Sequence, residues 1–390
     1  PFQESWVDFL VLDIRTRLAV GLADRVEEEH VLPGPPVTTT VGYQPLGVVT
    51  IIVPFNWPMA ILGASLPQAL LAGNTVIVKP PPSTPLAMAR ALARIAAKLP
   101  PGVLNVVTGR DADMAPLIQH DDVAKVCFTG SVGGGKRIME LAASSLTRVT
   151  LELGGNDPAI VFDDAQLDDA ALDRLFGGIF DTAGQICMNA KRIYVQRSRY
   201  DEVVRGLSER LERVVLGHGL AAGTTMGPLH QARQREFVLS LIQEARESGA
   251  EVWEFGALPE DLTDGQFVRP ALVLDPDPRL RVVTEEQFGP VVPVIPFDSE
   301  EEAVRMADDT WGGLCASVWS ADPDRVRRVG KRLQVGMVFV NDHGATRLDL
   351  RAPFGGMRSS GFGREQGLEG IRDFQDTHAI GDLHLPLARP

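Results

Sequence analysis

From Ser5 to about Glu29 the apolar positions Val7, Leu10, Val11, Ile14, Leu18 and Leu22 recur every three or four residues. That spacing predicts one face of a helix, ended by the prolines between Pro33 and Pro36. Residues 37–53 alternate Thr and Val before becoming a continuous apolar run, so they read as extended chain entering a core. Short β-rich runs follow at 75–78, 103–107, 125–128 and 149–153. A helix is predicted over 86–98, with Leu92, Ile95, Ala96 and Leu99 on its apolar side and Arg90, Arg94 and Lys98 on a solvated row.

The same alternation resumes after Asp157, with strands expected at 159–162, 193–195, 291–295, 316–319 and 335–340 and helices at about 200–216 and 232–247. Strands alternating with helices predict mostly parallel sheets covered by helices on both faces. The fold class is therefore α/β, with two doubly wound domains. The Gly154-Gly155 pair is the best place for a hinge between them, because glycine admits turns that other residues resist.

Length supports the division, since 390 residues exceed what one ordinary core encloses. The net charge of −13 leaves no extended basic surface, so neither nucleic acid nor an anionic membrane is expected as a partner. Cys127, Cys187 and Cys315 are an odd, widely spaced set that reads as reduced thiols in a reducing compartment. No run reaches the ~18 apolar residues of a membrane span, and the start lacks signal-peptide features, so a cytoplasmic location is expected. The first residue is Pro1 rather than Met, so a trimmed leader would be invisible. Seven scattered histidines form no ligand cluster, and no metal is expected.

Several residues sit where chemistry could use them. Cys187, in Gly184-Gln185-Ile186-Cys187-Met188-Asn189, follows a helical stretch in a loop that could hold a reactive thiol. The alternative is a small buried apolar residue, the reading that suits Cys127 and Cys315 inside their apolar runs. Glu152 ends a strand and faces the crevice where doubly wound sheets bind ligands, as a base or as a solvated ion-pair partner. Asn56, in Pro54-Phe55-Asn56-Trp57-Pro58, either caps a turn or aims its amide at a developing oxyanion.

Residues 128–135 run from a strand through a Gly-rich stretch into a helix starting near Lys136, which makes either a phosphate site or a plain tight turn. Lys79, at a strand end before Pro80, could reach a hydroxyl or phosphate, or snorkel at the surface. Glu286 could accept two hydrogen bonds from a sugar diol, or be one of two solvated acids before a turn.

The order and surroundings of these residues resemble the aldehyde dehydrogenase superfamily from about Glu27 to Thr377. The matching stretches are PLGVVTIIVPFNWP, AGNTVIVKP, PPGVLNVVTG, FTGS, LELGGNDP, GQICMN, EEQFGPVVPV and PFGGMRSSGFGRE. The resemblance implies a Rossmann-like cofactor domain over 1–154, a catalytic domain over 155–357 and a C-terminal segment over 358–390 that returns to the cofactor domain. It implies that Cys187 is the nucleophile, Glu152 the general base and Asn56 the oxyanion donor. It further implies NAD or NADP as cofactor, with Lys79 on the adenosine ribose, Gly130 and Ser131 by the pyrophosphate, and Glu286 and Phe288 on the nicotinamide ribose. Pro54, Trp57 and Leu153 complete the cofactor set. A small-molecule aldehyde would lie near Trp57, Ile61, Phe180, Ile186, Met188, His343 and Thr346.

Pro82 stands where many NAD-preferring members carry a glutamate that repels the extra phosphate of NADP. The usual N-terminal segment has no counterpart before Pro1. The resemblance implies a hairpin over 27–44 and a strand over 373–383 for oligomer contacts, giving a homodimer or homotetramer. Two alternatives remain: a semialdehyde dehydrogenase that binds a distal carboxylate through Arg347 or Arg351, and a non-catalytic scaffold of the same fold.

Overall fold

The computed structural model describes residues 1–383, which divide into two compact units. The N-terminal unit comprises Asp8–Leu151, Asp349–Phe354 and the chain from Gly363; the central unit comprises Pro1–Val7, Glu152–Leu348 and Gly355–Phe362.

The N-terminal unit carries β1 (His30–Leu32), β2 (Val37–Pro45), β3 (Val48–Ile52), β4 (Thr75–Lys79), β5 (Leu104–Val106), β6 (Val123–Thr129) and β7 (Arg148–Glu152). Its main sheet runs β7-β6-β3-β4-β5, and β3 pairs parallel with both β4 and β6. In register Ile52 lies beside Lys79 on one side and Phe128 on the other, so three strands end level. The helices Pro58–Leu71, Pro85–Ala96 and Val132–Ala143 each follow one of these ends. The carboxyl edge of such a sheet is where doubly wound folds place ligands. Val49, Ile51, Val76, Val78, Leu62 and Leu92 form the middle of the core.

Separately, β2 pairs antiparallel with β1 and with the C-terminal strand Gln375–Leu383 along its whole length, from Pro45 opposite Gln375 to Val37 opposite Leu383. Buried Lys125 anchors the returning chain by donating to the Asp373 carbonyl (2.8 Å) and carboxylate (2.7 Å).

The central unit carries β8 (Asp157–Val161), β9 (Ala190–Gln196), β10 (Glu251–Glu254), β11 (Ala271–Leu274), β12 (Val291–Phe297), β13 (Cys315–Trp319) and β14 (Met337–Val340). Their order is β10-β11-β12-β9-β8-β13-β14, parallel throughout except at β10/β11. Strands β8 and β13 are buried at every position, which is why apolar residues dominate them. Arg192 of β9, 1 % exposed, donates to the carbonyls of Asn156 (2.9 Å), Met306 (3.1 Å) and Ala307 (2.7 Å), stitching β9 to its neighbours.

Four sequence expectations shift. The first helix spans Phe2–Val20, because Gly21 and a short turn at Ala23–Arg25 end it well before the prolines. Residues 37–53 form two strands in different sheets, parted at Gly47, whose φ of 121° suits glycine. The helix beginning at Tyr200 stops at Leu211, and Leu216 instead bridges Met226. Gly133, Gly134 and Gly135 lie inside the helix Val132–Ala143, because the Ser131 hydroxyl caps it from the Gly134 N–H (3.1 Å). The helix over 232–247 is found as Ala232–Glu247. Among the described residues no helix is long and apolar enough to cross a membrane.

Leu207 is fully buried in the central core, whereas Leu220 is 76 % exposed. Leu207→Ala is expected to lower stability by about 2–5 kcal/mol and Leu220→Ala by less than about 0.5, read from urea denaturation midpoints.

Candidate functional site

Cys187 sits in a loop forced into shape by its approach. The helix Asp169–Phe180 runs into a tight turn where Thr182 and Ala183 take φ of 58° and 53°. Gly184 follows at φ 75°, and a Cβ there would stand 2.3 Å from the Gly289 carbonyl oxygen. Side chains then pin the loop's carbonyls. Asn189 Nδ2 donates to Ile179 (3.0 Å) and Asp181 (3.2 Å), and Lys191 Nζ to Gly184 (3.0 Å) and Ile186 (2.9 Å).

His343 holds the far side, with Nε2 2.9 Å from the Met188 carbonyl oxygen and Nδ1 2.9 Å from Ser317 Oγ. The carbonyl accepts, so Nε2 carries the proton and Nδ1 accepts from the hydroxyl. Burial lowers the His343 pKa to about 4, leaving the ring neutral. The His343 ring is buried, and its two nitrogens are spent on positioning the loop.

Acids crowd the thiol. Burial first, then Glu286, Asp157 and Glu152, push the Cys187 pKa up to about 12, while Lys191 pulls against them. Glu286 is raised to about 7 by burial, opposed by Lys191 and by the backbone N–H of Gly155. Asp157 lies well above the carboxylate range, also through burial, although it accepts from the Cys315 N–H (3.0 Å). The Cys187 thiol therefore carries its proton at neutral pH, and chemistry at sulfur needs a base. Gly154 and Gly155 make this proximity possible. A Cβ on Gly154 would stand 2.0 Å from Glu286 Oε2, and one on Gly155 would meet Asp157 Oδ1 at 2.4 Å.

Within this unit Glu152 closes β7 and is 5 % exposed, and Leu153 follows with its N–H on the Ser360 carbonyl (3.0 Å). Phe288 takes φ 44°, its carbonyl held by Gln234 (3.2 Å). Phe180, Ile186 and Met188 are buried, while Thr346 is exposed.

In the N-terminal unit Pro54, Asn56 and Trp57 form the turn between β3 and the helix Pro58–Leu71. Asp8 accepts from the N–H groups of Met59 (3.3 Å) and Ala60 (2.8 Å), capping that helix. Ile61 is half-buried against the core. Lys79, level with Ile52, is 1 % exposed and bonded through Nζ to Asp111, so it does not snorkel. Exposed Ser131 caps the helix that follows β6, and a Cβ on Gly130 would meet the Phe128 ring at 2.5 Å. Glu286 Oε1 is buried with no hydrogen-bond partner among the described residues, an acceptor that a ribose hydroxyl would satisfy.

Sequence reasoning missed Lys191, Asp157 and Asp8. A cation second in the apolar strand Ala190–Gln196 and an acid opening β8 were visible signals, because charges at buried strand positions need partners. Asp8 gave no signal, since its helix partners are remote in sequence.

Residues 2–380 match the model of the Aldehyde dehydrogenase family. The chain is 41% identical over 370 residues to 4-trimethylaminobutyraldehyde dehydrogenase of Homo sapiens, covering 92% of this chain and 73% of that one. It is 38% identical over 338 residues to betaine aldehyde dehydrogenase of Sinorhizobium fredii, covering 86% and 69%. The crystal structure of betaine aldehyde dehydrogenase from Staphylococcus aureus in complex with NAD+ superposes with a TM-score of 0.91 at 34% identity, covering 98% of this chain and 77% of that one.

Glu286 has a folded pKa of about 7, above its ordinary value of 4.5, so the fold holds that proton more tightly than the unfolded chain. Its contribution to stability is complete below the ordinary value and is lost as pH rises toward 7. Glu286→Gln is expected to be more stable than the parent above pH 7 by on the order of 3 kcal/mol, with the difference gone near pH 4. Denaturation midpoints across pH check this; a difference that does not vary with pH contradicts it.

Proposed function

This chain belongs to the aldehyde dehydrogenase family, and we propose that Cys187, Glu152 and Asn56 divide between them its reaction, oxidation of an aldehyde to the carboxylic acid with NAD or NADP. The deprotonated Cys187 sulfur attacks the carbonyl carbon and forms a thiohemiacetal. The Asn56 side-chain amide and the Cys187 backbone N–H donate to its oxyanion. The dinucleotide, when bound, supplies the hydride acceptor. Loss of hydride leaves a thioester on Cys187, and Glu152 takes a proton from the water that hydrolyses it. The observation that carries this reading is the half-buried Cys187 in the field of Glu286, Asp157 and Glu152: a thiol kept protonated by its surroundings requires a neighbouring base.

Lys79 would serve the adenosine ribose, Gly130 and Ser131 the pyrophosphate, and Glu286 and Phe288 the nicotinamide ribose, with Pro54, Trp57 and Leu153 beside them. The unsatisfied Glu286 oxygen and the Ser131-capped helix start suit these roles. NAD is favoured by the bound NAD+ of the Staphylococcus aureus structure, although Pro82 offers no repulsion to NADP. Trp57, Ile61, Phe180, Ile186, Met188, His343 and Thr346 would line the aldehyde. A cytoplasmic homodimer or homotetramer, joined through the exposed sheet of β1, β2 and the C-terminal strand, completes the proposal.

The carboxylated-aldehyde alternative gains little, because Arg351 is paired with Asp349 (2.8 Å) and Arg347 stands 3.7 Å from Asp342. A cationic aldehyde has better support. Two relatives are named for trimethylammonium-type aldehydes, and half-buried Asp181, next to Phe180, carries a carboxyl raised to about 6 by burial and Glu4.

NAD and NADP reduction followed with cationic, neutral and carboxylated aldehydes tests these assignments. Cys187→Ala is expected to abolish turnover and Asn56→Ala to lower kcat by about 10²–10³. Glu152→Gln is expected to release one equivalent of reduced cofactor per site and then stall. Turnover surviving in Cys187→Ala removes the nucleophile assignment, and preference for carboxylated aldehydes restores the semialdehyde reading.

A further inference from the structure

Two carbonyls of the nucleophile loop, those of Gly184 and Ile186, converge on one cation. Lys191, second in β9, is 3 % exposed and donates to both, on either side of Gln185. The same ammonium lies 5.5 Å from the centroid of the Phe288 ring. Its own carbonyl accepts from Gln287 Nε2 (3.1 Å), whose amide also donates to the Val282 carbonyl (2.5 Å). One residue thus ties the Cys187 loop to the segment that carries Glu286 and Phe288.

Packing does not account for a charge here. Ala190, Ile193, Tyr194 and Val195 serve β9 as uncharged residues. Arg192 spends its guanidinium on Asn156, Tyr194, Met306 and Ala307, all structural partners. Lys191 differs because its field reaches the thiol. The charged groups acting on Cys187 are Glu286, Asp157 and Glu152, which disfavour a thiolate, and Lys191, which favours it. Burial lowers the proton affinity of Lys191, and Glu286, Asp157 and Cys187 oppose that fall. Away from water, this one cation opposes three acids in setting which ionic form of the sulfur persists.

We propose that Lys191 is the positioning residue of the nucleophile: its ammonium shapes the loop through two carbonyls and supplies the counter-charge on which the Cys187 thiolate depends. The proposal rests on Cys187 being the nucleophile. Lys191 touches neither substrate nor cofactor in this role and acts through the sulfur.

The test is the rate of alkylation of Cys187 by iodoacetamide at pH 8, read from the mass of the Cys187-bearing peptide, in the parent, Lys191→Gln, Lys191→Met and Lys191→Arg. Lys191→Gln keeps amide donors for the two carbonyls but removes the charge. It is expected to slow alkylation roughly tenfold or more, the loss of thiolate that one pH unit represents. Lys191→Arg is expected to stay within about threefold of the parent, because the charge persists. Far-ultraviolet circular dichroism establishes that each variant is folded. A folded Lys191→Gln alkylated at the parental rate overturns the proposal. If neither uncharged variant folds, Lys191→Arg decides, and a tenfold loss there overturns it as well. Alkylation is read at Cys187 whether or not the enzyme turns over. A failed counter-charge is therefore distinguishable from a failed nucleophile assignment, which active Cys187→Ala would reveal.

Discussion

The central unit depends on glycines at which neighbouring atoms, backbone or carboxylate, come closer than a side chain would permit. At Gly154 and Gly155 the chain leaves β7 against Glu286 and Asp157, and at Gly184 it passes the Gly289 carbonyl. Gly178 lies equally close to His343, where a Cβ would meet the carbonyl oxygen at 2.8 Å. Such positions tolerate no methyl group without displacement, so the Cys187 loop has one available path. The hydrogen bonds from Asn189, Lys191 and His343 then hold a route that sterics had already selected.

That confinement has an electrostatic cost, because it brings Glu152, Glu286 and Asp157 into the surroundings of one thiol and away from water. Burial favours the neutral forms of Cys187, Glu286 and Asp157, so chemistry at sulfur starts from a thiol rather than from a preformed thiolate. Catalytic sites often hold such tension, which a ligand relieves by offering a donor to a lone acceptor such as Glu286 Oε1. The Asn56 turn is rigid for a different reason. It lies between a buried strand end and a helix whose N-terminus is capped by Asp8.

Much of this was readable in the chain. Buried strands announce themselves as apolar runs, and long amphipathic helices by their period, as Ala232–Glu247 did. The strand ends carrying Glu152 and Lys79 were equally visible. Periodicity failed where a single glycine decides, as at Gly21 and Gly47, because neither breaks the apolar pattern around it. It also failed at Gly133 to Gly135, where the Ser131 cap outweighs poor helix propensity. The hydrogen bonds of His343 left no trace in the sequence because its partners, Ser317 and the Met188 carbonyl, come from distant segments. Lys191 was passed over because a charge in a strand has meaning only once the strand is known to be buried on every side.

The C-terminal strand Gln375–Leu383 pairs with β2 along its full length, and the N-terminal unit gathers pieces from both ends of the chain. On the ribosome, β2 emerges early and waits with an open edge until the strand Gln375–Leu383 has been made. The stretch Glu152–Leu348, by contrast, contains almost all of the central sheet in one continuous run. The order of synthesis therefore runs counter to the order of completion: the surroundings of Cys187 can consolidate first, while the unit begun earlier closes later.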